Sequence, residues 1–250
     1  MKTTRRAAAL GVVVAGFVAA GVVAADDKPE AKDPKADAGA KGDGDKPGAR
    51  ESKPDPAAKP PVAEEKVAAP ESWPPRVGKP FPDLALPDQD GKITRLSSLK
   101  GKVLLVEPVG MGCAACQAFS GASGKKGPFK SGPVQGGLDA FESLLTKFAK
   151  VKPSDSRLVL VQILLYDMTN GAAPKPEDAK AWAAHFGFER KANRIVLAGT
   201  PAMVNQASYD MIPGFFLVDR DLVVRSDSTG HAPKEDLYKT LLPMVSKLLK

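Results

Sequence analysis

Apolar residues along this chain fall into short unbroken runs separated by stretches with helical spacing. Val103 to Glu107 and Leu158-Val-Leu-Val-Gln-Ile-Leu-Leu165 read as strands covered on both faces, because a strand with one wet face would alternate apolar and polar residues. Ile195-Val-Leu197, Phe215-Phe-Leu-Val218 and Leu222-Val-Val-Arg225 are shorter strands, the last two joined by a tight turn at Asp219-Arg-Asp221. Between the first two runs, Leu138, Phe141, Leu144, Leu145 and Phe148 recur at the spacing of one helix face. Ala179, Trp182 and Phe186 repeat that spacing within Asp178 to Phe186, and Leu237, Leu241, Leu242, Val245 and Leu249 form a closing amphipathic helix. Upstream, Leu84-Ala-Leu86 and Ile93-Thr-Arg-Leu96 flank Asp88-Gln-Asp-Gly91, a hairpin or loop signal, and Ser97 caps a short turn through Leu99. Strands alternating with helices predict an α/β domain with helices covering a sheet.

The pattern stops on the N-terminal side of residue 76. Asp26 to Pro75 holds ten of the chain's twenty-three prolines and no aromatic residue before Trp73, so residues 26–75 lack the apolar surface to offset chain entropy and are expected to form a disordered tether. Ahead of it, Lys2, Arg5 and Arg6 precede nineteen uncharged residues, Ala7 to Ala25, and residues 1–25 resemble a secretory signal. Val23 and Ala25 fit the small-residue rule for cleavage before Asp26. The alternative is an uncleaved anchor, which nineteen residues just suffice to span but which their many Ala and Gly make only mildly apolar. Both readings place residues 76–250, the single folded domain, in a periplasmic or other extracytoplasmic compartment.

Charge narrows the partners. Residues 26–75 carry nine basic and twelve acidic side chains, whereas residues 76–250 carry twenty-four and seventeen, so the folded part is the basic part. Its cations are scattered, with no Arg-rich stripe or interleaved aromatics, and nucleic acid is not an expected partner.

The chemistry concentrates in Cys113-Ala-Ala-Cys116, which contains the only cysteines of the 250 residues and follows the strand run that ends at Pro108. A C-x-x-C at a strand end reads first as a redox pair: the first sulfur can lie at a helix N-terminus, where free N–H groups favour the thiolate, and the second lies one turn on. Two other uses stay open. Two thiolates with Met111 nearby suit Cu(I), and a static disulfide would suit a noncatalytic binding domain, although so short a loop removes little unfolded-chain entropy. Gly121-Ala-Ser-Gly-Lys-Lys126 is not a phosphate loop, since Phe119 and Lys126 occupy the positions that need glycine and Ser/Thr. His185 is expected to be packed or solvent-facing, and His231 to lie in a turn; no metal site and no cofactor is expected.

Taken in order, Val77 to Lys92, Leu99-Lys-Gly-Lys-Val-Leu-Leu-Val106, the C-x-x-C and Met211-Ile-Pro-Gly-Phe-Phe-Leu-Val-Asp219 resemble the thioredoxin superfamily, in its extracytoplasmic TlpA-like, ResA-like and redoxin branch. The resemblance implies a thioredoxin-like fold: a central mixed sheet flanked by helices, an N-terminal hairpin, and an insertion after the start of the C-x-x-C helix. It implies an exported thiol-disulfide oxidoreductase, more a reductase than an oxidase, whose partners are protein dithiols or disulfides and a membrane or envelope redox donor. Cys113 would be the attacking thiol and Cys116 the resolving thiol. Pro213 would follow a cis peptide bond opposite the pair, and the backbone of Ile212 would pair with an extended substrate. Glu107, six residues before Cys113, falls where thioredoxins bury a carboxylate that takes the resolving thiol's proton; the alternative is a side chain pointing outward at the strand end.

This chain departs from that pattern in several places. Gly112 replaces the usual tryptophan, Ala-Ala fills the motif, and Phe119 stands where ResA-like proteins have a glutamate. Neither of the residues a peroxidatic cysteine expects upstream is present, since Val106 and Gly110 occupy those positions. Sco-like copper carriers share the fold but use a C-x-x-x-C spacing and a histidine that the segment Val204 to Asp210 lacks. Gly121, Gly124, Gly127, Pro128, Gly132, Pro133, Gly136 and Gly137 break the active-site helix and predict a long flexible insertion carrying Lys125, Lys126 and Lys130, read as a tolerated surface segment in preference to a partner contact.

Overall fold

A computed structural model describes residues 73–250. The expected signal or anchor at 1–25 and nearly all of the tether at 26–75 lie outside the described residues.

Five strands form the central sheet: β3 (Val103–Gly110), β4 (Leu158–Tyr166), β5 (Arg194–Ala198), β6 (Gly214–Val218) and β7 (Val224–Thr229), in the order β5-β4-β3-β6-β7. The β3–β4 and β4–β5 pairs are parallel and the β3–β6 and β6–β7 pairs antiparallel, so the sheet is mixed. Every residue of β3 and β4 is buried, which is why both read as unbroken apolar runs. A two-stranded hairpin, β1 (Ala85–Pro87) with β2 (Ile93–Arg95), precedes them. Its flanks reach both sides of the sheet: Pro80 bridges Val223 just before β7, and Asp88 bridges Leu197 on β5.

Among the described residues, five α-helical segments accompany the sheet: α1 (Ala114–Ser120), α2 (Phe141–Leu144), α3 (Pro176–Phe186), α4 (Gln206–Tyr209) and α5 (Leu242–Leu248). α2 runs on in a wider turn through Ala149, and α5 is preceded by a similar turn over Leu237–Leu241. Glu107 on β3 and Gln162 on β4 are register partners pointing to one face of the sheet, where α1 and α3 meet them. Strand order, cis-proline and hairpin together make the fold thioredoxin-like.

Three boundaries differ from the sequence pattern. The last strand is Val224–Thr229 and not Leu222 to Arg225, because the Asp219 carboxylate accepts the N–H groups of Asp221 (3.0 Å) and Val223 (2.9 Å) and the turn consumes Leu222 at a φ of 64°. Polar residues 226–229 continue β7 because β6 pairs with them. Leu138 precedes its helix, which starts at Phe141. Trp73, at the end of the expected tether, donates from Nε1 to Ser208 Oγ at 2.8 Å, and Pro75 is buried, so these residues are attached to the domain.

Candidate functional site

β3 delivers the chain to the site. After Val109 the β3–β4 register shifts, Met111 N–H bonds the Tyr166 carbonyl (2.9 Å), and Cys113 N–H bonds the Gly110 carbonyl (3.0 Å), turning the chain out of the sheet. Cys113 is the N-cap of α1, and its sulfur accepts the Cys116 N–H at 3.2 Å. One turn on, Cys116 Sγ lies 2.7 Å from Cys113 Sγ, and both thiols are free.

The two sulfurs sit in opposite environments. Cys113 is partly exposed; the hydrogen bond from the Cys116 thiol, opposed by desolvation and aided by the N–H groups of Cys116 and Ala115, lowers its pKa to about 7. Cys116 is fully buried, and burial first, then its bond to Cys113 and the nearby charges of Cys113 and Glu107, push its pKa well up. The pair therefore ionises at Cys113 and keeps its proton at Cys116.

Glu107 is 0 % exposed, which settles its orientation: it points into the molecule. Burial raises its pKa well above the usual carboxyl range, a shift that the hydrogen bond from Gln162 opposes and the charge of Cys113 adds to. Its Oε2 accepts the Gln162 Nε2–H at 2.7 Å, while Oε1 is buried without a partner among the described residues. Gln162 also donates to Ser120 Oγ (2.8 Å) and accepts the Trp182 indole N–H (2.9 Å).

The Ile212–Pro213 peptide bond is cis. A Cβ added at Gly110 would lie 3.5 Å from Cys113 Cβ and 3.6 Å from Ile212 Cδ1, so Ile212 and Cys113 share one small space. The Ile212 N–H, however, is engaged by the Tyr209 carbonyl at 3.0 Å. Of the two backbone groups expected to pair with a substrate, the carbonyl alone is without a described partner.

Gly112, in place of the usual tryptophan, has a structural cause. A Cβ there would lie 2.6 Å from Met168 O and 2.8 Å from Asn170 Nδ2, because the turn after β4 lies directly on it. The Asp167 carboxylate holds that turn through the N–H groups of Thr169 (3.0 Å) and Gly171 (3.3 Å).

α1 ends where Gly121 adopts a φ of 109°, a left-handed cap that favours glycine. The segment from Gly121 to Ala140 is irregular, as its glycines indicate, but it is pinned rather than free. Gln117, fully buried, accepts the Phe129 N–H (2.9 Å) and donates to the Met111 carbonyl (2.8 Å). The Phe129 ring packs edge-on to Trp182, His185 Nε2 meets the Gly127 carbonyl at 3.0 Å, and Lys126 donates to the Phe186 carbonyl. Gln135 N–H reaches the Ala114 carbonyl at 3.0 Å, bringing the insertion alongside the first turn after Cys113. His185 is thus packed, and His231 is exposed in a bend.

Cys113, Cys116, Glu107, Ile212 and Pro213 therefore converge at the ends of β3 and β6. Gln117, Gln162, Trp182 and the Met168–Asn170 turn belong to the same site and were not anticipated. Gln162 was open to notice as a polar residue inside an apolar strand run. Among the described residues, no group of three or more His, Cys, Asp or Glu side chains is placed to hold a metal ion.

No family model matches this chain, and no curated protein matches it. Solved structures similar in backbone course include the thioredoxin domain of a thiol-disulfide oxidoreductase from Bacteroides vulgatus, at 18 % identity and a TM-score of 0.40 over 68 % of this chain and 98 % of that one. A SCO1/SenC family lipoprotein from Bacillus anthracis is similar at 20 % identity and a TM-score of 0.44 over 70 % of this chain and 100 % of that one. BsSco, a Sco-family cytochrome c oxidase assembly protein with a disulfide switch, is similar at 18 % identity and a TM-score of 0.42 over 70 % and 99 %. The thioredoxin-like fold of this chain rests on its own strand order and on the cis-proline beside the C-x-x-C turn at the end of β3.

Proposed function

We propose that this chain is an exported thiol-disulfide oxidoreductase that exchanges disulfides with protein cysteines through Cys113 and Cys116. The observation that carries this reading is the asymmetry of the pair: a partly exposed sulfur with a pKa of about 7 beside a buried sulfur that retains its proton, 2.7 Å apart. A nucleophile that ionises near ambient pH reacts fastest in disulfide exchange.

In the reducing direction the Cys113 thiolate attacks one sulfur of a substrate disulfide. The Cys113–substrate bond forms as the substrate S–S bond breaks, and the first substrate thiolate leaves. Cys116 then gives its proton to the Glu107 carboxylate and attacks Cys113 Sγ, closing the Cys113–Cys116 disulfide as the second substrate thiolate leaves. Two electrons have passed to the substrate, and an external dithiol donor returns them. The Ile212 carbonyl offers one hydrogen bond to an extended substrate lying across the cis-proline.

The reducing direction is favoured by Cys113 itself. Strongly oxidising members of the fold hold the attacking thiol near a pKa of ~3.5, which stabilises the reduced form, and Cys113 at about 7 lacks that stabilisation. The expected signal or anchor at 1–25 supports a site of action outside the cytoplasm, with a membrane or envelope dithiol donor.

The test is turnover of a protein disulfide such as insulin with a small dithiol as electron source. Wild type should accelerate reduction, Cys113→Ala should abolish it, and Cys116→Ala should stop after one covalent event. Normal turnover by Cys116→Ala would rule out the two-thiol mechanism.

A further inference from the structure

Gln162 sits at the centre of a fully buried chain of polar groups that the exchange chemistry does not by itself require. The Trp182 indole N–H is a donor only, so the amide atom facing it at 2.9 Å must be the Gln162 oxygen. That fixes the amide NH2 toward Glu107 Oε2 (2.7 Å) and Ser120 Oγ (2.8 Å). All three groups of the Gln162 amide are thereby used, and the amide cannot flip without leaving a buried indole unpaired. An N–H aimed at Oε2 disfavours a proton there, because a hydroxyl oxygen is the weaker acceptor, so the proton that Glu107 gains is directed to Oε1, the oxygen without a partner among the described residues.

We infer that Gln162 is the positioning residue of this site, holding Glu107 by Oε2 and assigning Oε1 to take up and return the Cys116 proton. This rests on the dithiol-exchange reading and adds the residue that directs its proton transfer. The titratable groups facing Glu107 are Cys113 and Cys116, both brought by α1 and its N-cap. β4 and α3 contribute Gln162 and Trp182, neither of which ionises, and on β6 the residue next to Val106's partner Phe216 is Phe215. With no cation among the described residues holding the carboxylate, the Gln162 amide is the group that favours its ionised form. Its removal moves the ionisation of Glu107 to higher pH.

The test uses the full-length protein and a mixed disulfide of Cys113 with thionitrobenzoate, whose coloured thiolate is released when Cys116 attacks. The release rate is followed against pH. Wild type should show an acid limb set by Glu107, and Glu107→Gln should abolish it. Gln162→Leu should move the limb to higher pH by about one unit, roughly tenfold slower release below it, as expected for loss of one hydrogen bond to a charged group. Gln162→Glu keeps an oxygen for Trp182 and places a second carboxyl beside Glu107, so it should shift the limb the same way. Gln162→Leu added to Glu107→Gln should change nothing further in the pH profile. A limb unmoved in whichever Gln162 variant folds, even with reduced stability or overall rate, would overturn the inference and leave Gln162 a structural residue. Absence of any release in wild type would instead refute the dithiol exchange itself.

Discussion

At the scale of single residues, the site works by giving two chemically identical thiols different surroundings. The thiol of Cys116 is the largest influence lowering the pKa of Cys113. Alkylation of Cys113 by iodoacetamide should therefore titrate with a midpoint near pH 7. Cys116→Ala should move that midpoint up toward the ordinary thiol value of 9.0, while Cys116 in native wild type stays unreactive. Glu107 is the opposite case, a carboxyl whose ionised form is penalised by burial. Because its pKa is raised by folding, its contribution to stability is fully present below the ordinary value of 4.5 and is lost as pH rises through the raised one. Glu107→Gln should match wild type near pH 4 and exceed it at pH 8 by on the order of 1 kcal/mol in urea unfolding, while its mixed-disulfide resolution slows near neutral pH. Equal stability at both pH values would show that Glu107 is not a buried ionisable group. Both cysteines were visible in the sequence because a C-x-x-C at a strand end carries chemistry, whereas Glu107 was marked by the resemblance to thioredoxins, from its place six residues before Cys113. Gln117 and Trp182 were not, since a glutamine in a short helix and a tryptophan on an apolar helix face do nothing locally to betray partners that lie twelve and twenty residues away.

At the scale of elements, the insertion shows where sequence reasoning stopped. Eight glycines and prolines spaced over residues 121–137 correctly forbid regular structure. Composition cannot report that the buried Gln117 amide and the Phe129 ring fasten this segment to α1 and α3, because those contacts depend on tertiary proximity. Phe129 is 4 % exposed, so Phe129→Ala should cost roughly 3 kcal/mol and open the segment to proteolysis, read by the change in urea midpoint and the position of the first cut. No change in either would mean the insertion is loosely held. Gly112 makes a related point about the turn after β4. Restoring a tryptophan there would drive a side chain into the Met168 carbonyl, so Gly112→Trp should destabilise the protein by about 2 kcal/mol and displace the turn rather than rebuild a familiar active site. The strands were the most legible elements, since β3 and β4 are buried on both faces. β7 was illegible because five of its six residues are polar and it is held by its pairing with β6.

At the scale of the whole molecule, the alternation of strands and helices indicated the α/β architecture, and the order of motifs indicated its thioredoxin-like form. What remained hidden were contacts between distant stretches, such as the reach of residues 78–89 to both sheet edges, because nothing local in Pro80 or Asp88 names Val223 or Leu197 as a partner. Trp73 is another such contact. A chain starting at residue 73 should keep the fold and exchange activity, and one starting at residue 76 should lose about 1 kcal/mol with the Trp73–Ser208 hydrogen bond, measured by urea unfolding. Everything proposed for the molecule depends on Cys113 and Cys116 being a reversible two-electron couple. The deciding measurement is equilibration of the protein against graded dithiothreitol and glutathione buffers, with and without Cu(I), scoring free thiols and an intramolecular Cys113–Cys116 disulfide. A single two-electron transition at a potential nearer thioredoxin, about −270 mV, than the strongly oxidising enzymes, about −120 mV, is the expected result. A pair that stays oxidised throughout, or whose reduced form is held by tight Cu(I) binding in place of closing to the disulfide, would contradict it.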